Sequence, residues 1–419
     1  MRSYKHICRS FRAGAGGFAA IALITPGLAA PLHAQERARE LGLAIGHLPT
    51  GPLNAITDVA GVLVGQVTLV EGDSIRTGVT ALRPHPGDVF SAKVPAAIHV
   101  ANGFGKLAGV TQVEELGTIE TPIVLTNTLA VGRAVDGVVR WTLAHTEARD
   151  VRSVNAVVGE TNDGFLNAIA VPRVGAAEVE AAVDAARPGP VEEGSVGAGT
   201  GTRALGFKGG IGTASRRVRI GGRDYTLGVL VQSNFGGALE IGGVQVGRAL
   251  GAAGFLDPWM PRFESSAPGE ARATGSAGAP VLAAEEPDAR GGSIMIVVAT
   301  DAPADADALG RIARRAPYAI GRVGGFSSHG SGDYVIAFST APGLRVPYEG
   351  GGPTASGEVL RGESLNPLFL AVIEATEEAI LNSLLRATTV TGWKGTAEAL
   401  PLDRVRALLT EAGRLAAPR

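Results

Sequence analysis

The sequence has little cysteine, histidine or aromatic content, and each shortage excludes a class of protein. Its 419 residues include one cysteine, Cys8, seven histidines and 5% aromatic residues. The chain beyond the N-terminal segment therefore has neither a thiol nucleophile nor a disulfide. Its histidines are scattered, without the close pairs that bind zinc. The net charge is −2 and no long basic run occurs, so the composition does not indicate a nucleic-acid partner.

Common nucleotide-binding and hydrolase motifs are also missing. Glycines are frequent between positions 194 and 212, but no Gly-Lys-Ser/Thr follows a strand there. The dinucleotide-binding spacing with a later acidic residue is absent as well. We interpret these glycines as positions for tight turns or for close approach of the backbone to a ligand. No Gly-x-Ser-x-Gly elbow lies between a strand and a helix.

The first 34 residues have the features of a targeting signal. Positive residues precede a run of small and apolar residues that two prolines interrupt. A signal-peptide cleavage site follows, directly after Ala34. A membrane anchor is the alternative, but the run is short and broken for a membrane span. We expect the signal peptide, 1–34, to be removed. Export without disulfides then fits a periplasmic or secreted protein, with 35–419 as a single domain.

Short apolar segments bounded by Gly, Pro, Asn or Asp indicate strands along the rest of the chain. The predicted strands are 61–70, 96–100, 122–125, 154–158, 227–232, 293–300 and 334–338. Helical periodicity marks 128–147, 176–186, 304–316 and 366–386, and the last segment has one apolar stripe. This mixed order predicts an α/β or α+β sandwich in which helices cover sheets.

One segment, 255–290, differs from the rest in composition. It is rich in Pro, Ala, Gly and acidic residues and has no periodicity, which predicts a flexible, exposed linker. An ordinary surface insertion is the alternative. The linker ends just before Gly292 and Ser293, and an apolar strand begins abruptly at Ile294.

Ser293 is a candidate N-terminal nucleophile. If the bond before it breaks, its hydroxyl gains a neighbouring α-amine with a pKa of about 8, which can accept the hydroxyl proton near neutral pH. Gly292 suits the preceding position because glycine permits a strained backbone and close approach. A simple turn before a strand explains the same residues, so the local sequence leaves both interpretations open.

A Ser-His-Asp arrangement is a second candidate. On a strand, His329, Ser331 and Asp333 would point to one side. A catalytic triad needs its hydroxyl, imidazole and carboxylate in series, whereas side chains two positions apart on a strand stand parallel. Two rivals to self-cleavage remain: a serine hydrolase that uses His329, and a non-catalytic periplasmic binding module.

Eight segments together carry a family resemblance. They are GPLNAITDVAGVLVGQVTL (51–69), RTGVTALRP (76–84), NGFGKLAGVTQVEELGTIETPIVLTNTLAVG (102–132), VVGETNDGFLN (157–167), GVLVQSNFGG (228–237), GGSIMIVVATDAP (291–303), SHGSGDYVIAFST (328–340) and EATEEAILNSLLRATTVTG (374–392). In this order they resemble the self-cleaving, DmpA-type L-aminopeptidase/D-esterases and β-peptidyl aminopeptidases. The resemblance spans nearly the whole chain after the signal, although 255–290 is longer than is usual in that family.

The resemblance implies a fold and a catalytic apparatus. The fold would be an αββα four-layer sandwich, self-cleaved between Gly292 and Ser293 into chains 35–292 and 293–419. Ser293 would be the nucleophile and its own amine the base. Ser331 would position the proton, Asp333 would orient Ser331, and Asn234 would donate to the oxyanion. Acetyltransferases of arginine biosynthesis share this fold, but their nucleophile is threonine, and serine occupies position 293 here.

The resemblance also implies how substrate is bound. Glu160 would bind the free amine of the substrate, and Asn162 would line the same subsite. No cofactor is needed. The expected substrates are small peptides, amides or esters of L-, D- or β-amino acids, and the expected assembly is a homotetramer of self-cleaved protomers.

Overall fold

The computed structural model describes residues 35–252, 292–350, 352 and 357–415. The predicted signal peptide and the predicted linker, 255–290, lie outside the described residues. Within the described ranges, none of the helices combines the length and the apolar character that a membrane crossing requires.

Strands and helices follow one another in mixed order along the described chain. The strands are β1 (Leu63–Glu71), β2 (Ile75–Arg83), β3 (Ala92–Gly103), β4 (Leu107–Ala108), β5 (Thr118–Ile119), β6 (Ile123–Asn127), β7 (Val157–Thr161), β8 (Arg203–Ala204), β9 (Phe207–Lys208), β10 (Gly210–Ile220), β11 (Arg223–Asn234), β12 (Gly292–Thr300), β13 (Ser331–Ser339), β14 (Val346–Pro347), β15 (Val390–Thr391) and β16 (Thr396–Ala397). The helices are α1 (Val110–Leu116), α2 (Val131–His145), α3 (Ala176–Asp184), α4 (Val246–Ala249), α5 (Ala306–Ala313), α6 (Tyr318–Arg322), α7 (Asn366–Leu385) and α8 (Leu402–Glu411). Short 3-10 helices occupy Ile56–Asp58, Gly197–Gly199, Pro342–Leu344 and Gly362–Leu365.

Two sheets dominate the fold. The five-stranded sheet has the order β1-β2-β6-β7-β4, and the seven-stranded sheet has the order β10-β11-β12-β13-β3-β14, with β5 also paired to β3. The pairs β6–β7 and β12–β13 are parallel, whereas β11–β12 and β13–β3 are antiparallel. Strands β12 and β13 therefore lie in the interior of the larger sheet, with β11 on one side and β3 on the other.

The two sheets pack face to face over an apolar core. Leu125 and Val157 of the smaller sheet share this core with Met295, Val297 and Ile336 of the larger one. Every residue of β12 and β13 is buried, because helices cover the other face of the same strands. Burial on both faces accounts for the nearly continuous apolar run that predicted a strand at 293–300.

Helices cover the outer face of each sheet. Helices α2 and α3 pack on the five-stranded sheet through Val138 and Val179, and α5, α6 and α7 pack on the seven-stranded sheet. Glycine permits the close contact between α7 and β10, since a Cβ atom at Gly212 would lie 2.0 Å from the carbonyl oxygen of Ala379. The predicted αββα sandwich is confirmed by this order of layers.

Helix α7 differs from its prediction in one respect. The sequence predicted a single apolar stripe, but most of the helix is buried, including Glu374 and Glu378. Both carboxylates pair with the fully buried guanidinium of Arg216 on β10, at 3.2 and 2.7 Å. Buried charges need such partners, and the partner lies far away in sequence, so periodicity alone could not reveal this second buried face.

Candidate active site

Sheet pairing brings four of the predicted site residues together at one end of β12. In the antiparallel pair β11–β12, Asn234 lies opposite Ser293. In the parallel pair β12–β13, Gly292 lies opposite Ser331 and Ser293 lies opposite Gly332. Residues far apart in sequence thus meet because each stands at the end of a neighbouring strand.

The hydroxyl of Ser293 lies against the peptide group that was predicted to break. Ser293 is 5% exposed, and its Oγ donates a hydrogen bond of 2.5 Å to the carbonyl oxygen of Gly292. The same Oγ accepts a hydrogen bond of 3.3 Å from the backbone amide of Gly332. The main chain of β13 therefore helps to hold the serine hydroxyl beside the Gly292–Ser293 bond.

Gly292 fits a crowded position. A Cβ atom at Gly292 would lie 3.2 Å from the Cα of Phe235 and 3.3 Å from the Oγ of Ser331. Those distances are tighter than most contacts of a real Cβ atom, so a larger residue would displace its neighbours. Glycine therefore allows Ser331 to approach the Gly292–Ser293 peptide group closely.

Ser331 and Asp333 form a buried pair on β13. Ser331 Oγ donates a hydrogen bond of 2.5 Å to Asp333 Oδ1, as expected for side chains on the same side of a strand. Burial raises the pKa of the Asp333 carboxyl, although the hydrogen bond from Ser331 acts to lower it. The pair joins a carboxylate of increased basicity to a hydroxyl that lies near Gly292.

Asn234 has a fixed amide orientation. Its Oδ1 accepts a hydrogen bond of 2.9 Å from the backbone amide of Arg203, and the residue is nearly fully buried. Because an amide carries its acceptor and its donors on opposite sides, this bond leaves Nδ2 as the group that can donate elsewhere. Together with its register opposite Ser293, this orientation fits a donor to a developing oxyanion.

Glu160 is a buried carboxylate at the end of β7, in the smaller sheet. Its Oε1 accepts a hydrogen bond of 2.9 Å from the backbone amide of Lys106, and its Oε2 accepts one from the hydroxyl of Thr128. Burial raises the pKa of Glu160, and these two hydrogen bonds partly oppose the increase. A buried carboxylate with two donors suits the binding of a substrate ammonium group.

Two glycines connect Glu160 to the nucleophile. A Cβ atom at Gly332 would lie 2.8 Å from the Cα of Gly105, and a Cβ atom at Gly105 would lie 3.1 Å from Glu160 Oε1. Gly332 also donates to Ser293 Oγ. The amine-binding candidate and the candidate nucleophile are therefore separated by two touching backbone segments, the start of β13 and the turn between β3 and β4.

Two other candidates have different surroundings. Asn162 is exposed, and its Oδ1 accepts a 2.9 Å hydrogen bond from the amide of Gly164, which stabilises its own turn. His329 is exposed in the turn before β13, and its ring lies 5.7 Å from the ring of Phe104. Since Ser331 bonds Asp333 directly, no imidazole stands between them, and the geometry does not support a Ser-His-Asp triad.

Sequence reasoning missed the groups that hold the site together. They are the backbone amides of Lys106, Arg203 and Gly332 and the side chains of Thr128 and Tyr334. A backbone amide has no signature in a sequence, so three of the five could not have been identified there. Thr128 and Tyr334 lie within the segments 102–132 and 328–340 that carry the family resemblance, and Tyr334 directly follows Asp333.

Comparisons with known proteins agree on one family. The model for Peptidase family S58 matches residues 54–398. The β-peptidyl aminopeptidase BapA of Sphingosinicella microcystinivorans is 41% identical over 398 residues, which cover 91% of this chain and 94% of that protein. The solved L-aminopeptidase D-Ala-esterase/amidase of Ochrobactrum anthropi is 37% identical, with a TM-score of 0.78, over 91% of this chain and 99% of that one. A β-aminopeptidase of Burkholderia sp. is also 37% identical, with a TM-score of 0.77, over 91% of this chain and 100% of that one.

The fold and the comparisons together define a serine aminopeptidase with an N-terminal-nucleophile (Ntn) hydrolase fold. The Ochrobactrum structure is described as a prototype for the serine aminopeptidases and as a new variant of that fold. The chain belongs to peptidase family S58.

Proposed function

We propose that this aminopeptidase cuts its own chain between Gly292 and Ser293. Ser293 Oγ attacks the carbonyl carbon of Gly292, and the C–N bond breaks as the nitrogen takes up a proton. Water then hydrolyses the resulting ester, which leaves a carboxylate on Gly292 and a free amine on Ser293. The contact that carries this proposal is the 2.5 Å hydrogen bond between Ser293 Oγ and the Gly292 carbonyl oxygen.

The first cut needs a base other than the amine that it creates. Ser331 and Asp333 are suited to this role, because the Asp333 carboxyl has a raised pKa and bonds the Ser331 hydroxyl at 2.5 Å. Ser331 also approaches the position of Gly292 closely. A proton leaving Ser293 would therefore pass to Ser331 as the Ser331 proton moves to Asp333.

The mature enzyme would use the same groups on its substrates. Ser293 attacks the substrate carbonyl and its α-amine accepts the hydroxyl proton, while Asn234 Nδ2 donates to the oxyanion. The amine then protonates the leaving group, and water releases the acyl group from Ser293. Glu160 binds the free amine of the substrate, which makes the reaction an aminopeptidase reaction. A role for exposed Asn162 in the same subsite remains a prediction.

The two chains would stay together after the cut. Strand β13 and all of β12 after Gly292 would belong to the chain 293–419, yet they lie between β11 and β3 of the chain 35–292. Separation would break both antiparallel ladders and expose the core between the sheets. We further propose that the protein is exported through the signal peptide, 1–34. We also propose that it assembles into a homotetramer, and size-exclusion chromatography with light scattering would test that assembly.

The relatives suggest a range of substrates. One is named for β-peptides and another for L-aminopeptidase and D-Ala-esterase/amidase activities. We propose that this enzyme releases small N-terminal residues from peptides, amides and esters in this range. The test measures purified wild type and Ser293→Ala on L-, D- and β-alanyl p-nitroanilides. We expect the wild type to hydrolyse at least one of these substrates and Ser293→Ala to hydrolyse none. Equal activity of the two proteins would contradict the role of Ser293.

A further inference from the structure

Tyr334 stands between the nucleophile and the amine-binding carboxylate, and the mechanism above assigns it no role. It follows Asp333 on β13 and is only 4% exposed. Its ring belongs to the apolar core between the two sheets. Its hydroxyl accepts a hydrogen bond of 3.0 Å from the backbone amide of Gly105. The hydroxyl of this core residue thus contacts the turn between β3 and β4 (residues 104–106), which we call the β3–β4 turn.

The Tyr334 ring supports both glycines that separate Ser293 from Glu160. Its Cε2 atom would lie 3.0 Å from a Cβ atom at Gly105 and 3.1 Å from one at Gly332. Gly332 is the residue whose amide donates to Ser293 Oγ. The ring therefore fills the space beside the contact between these two backbone segments.

The hydroxyl and Glu160 bind consecutive amides of the β3–β4 turn. The amide of Gly105 donates to Tyr334 Oη at 3.0 Å, and the amide of Lys106 donates to Glu160 Oε1 at 2.9 Å. Any shift of the turn that breaks the first bond also moves the donor of the second. Burial raises the pKa of the Tyr334 phenol, and the nearby charges of Glu160 and Asp333 add to this increase, although the hydrogen bond from Gly105 acts to lower it.

We propose that Tyr334 is a positioning residue that sets the place of the amine anchor, Glu160, relative to Ser293. The proposal depends on the amine-binding role of Glu160 given above. An amine one carbon from the scissile carbonyl and an amine two carbons away need different anchor positions. Tyr334 therefore also contributes to the discrimination between α- and β-amino-acid substrates.

Tyr334→Phe tests the hydroxyl while retaining the ring in the core. Loss of one neutral hydrogen bond predicts a KM about 3- to 10-fold higher for alanyl p-nitroanilides, with a smaller change in kcat. The ratio of kcat/KM values for L-alanyl and β-alanyl substrates is expected to move towards one. Self-cleavage is expected to stay complete, because the ring and the Gly332 amide are retained. The matched control is Tyr348→Phe, which removes a hydroxyl that bonds the Asp150 carbonyl at 3.3 Å, outside the site.

Each outcome has a defined meaning. An unchanged KM and substrate ratio in Tyr334→Phe, with active wild type and Tyr348→Phe, would overturn the role of Tyr334 alone. A fall in kcat or in self-cleavage at unchanged KM would also overturn it, because the hydroxyl would then act on the nucleophile. Failure of Tyr334→Phe to fold would show that the hydroxyl supports the fold instead. An inactive or uncut wild type would contradict the proposed function itself.

Discussion

Glu160→Gln isolates the charge of the proposed amine anchor. The amide oxygen of glutamine can accept from the Lys106 amide as Oε1 does now, and its NH₂ group can donate to the Thr128 hydroxyl. Both local hydrogen bonds can therefore survive the substitution, and only the negative charge is lost. A charge-assisted hydrogen bond contributes about 1.5–3 kcal/mol, so we expect kcat/KM for free-amine substrates to fall about 10- to 100-fold, mainly through KM.

The assay compares β-alanyl and L-alanyl p-nitroanilides with their N-acetylated forms. The wild type is expected to prefer the free amine strongly, and Glu160→Gln is expected to lose most of that preference. Glu71→Gln is the matched control, since Glu71 pairs with Arg173 at the surface. Equal relative losses on free and acetylated substrates would refute the reasoning, because the substitution would then act on the reaction rather than on amine binding.

Two further predictions concern the oxyanion and pH. Asn234→Ala is expected to lower kcat about 100- to 1000-fold with little change in KM, as burst and steady-state kinetics would show; an unchanged kcat would remove Asn234 from the reaction. Burial raises the pKa of Glu160 above 4.5, and only its ionised form pairs with an ammonium group. The value of kcat/KM should therefore fall as the pH decreases through the raised pKa of Glu160. This acid limb of the pH profile should disappear in Glu160→Gln. An acid limb that persists in the variant would belong to another titratable group.

The sequence predicted best the elements whose burial is uniform. The apolar run after Ser293 becomes β12, which is buried along its whole length. In contrast, β2 and β10 were not predicted, because threonine, glycine and arginine interrupt their apolar residues. Those glycines have a packing role: a Cβ atom at Gly78 would lie 2.4 Å from the carbonyl oxygen of Gly197. Such contacts join distant segments and have no local pattern.

In the candidate site, too, the features with a local sequence signal were predicted and the contacts between distant segments were not. Chemistry-bearing side chains such as Ser293 and Asp333 were identified from residue type and family resemblance. The supports of Glu160 and Asn234 were not, because they include main-chain amides that are distant in sequence, that of Lys106 in the β3–β4 turn and that of Arg203 on β8. Only the register of β11, β12 and β13 shows that Asn234, Ser293 and Ser331 share one end of the sheet.

The intact mass of the purified protein tests the central claim most directly. Wild type is expected to give two chains that remain associated, the smaller one beginning at Ser293 and ending at residue 419. Ser293→Ala is expected to keep the Gly292–Ala bond intact and to give one chain. Wild-type protein that stays one uncut chain while hydrolysing alanyl p-nitroanilides would contradict the account, because Ser293 would then never have the α-amine that the mechanism requires.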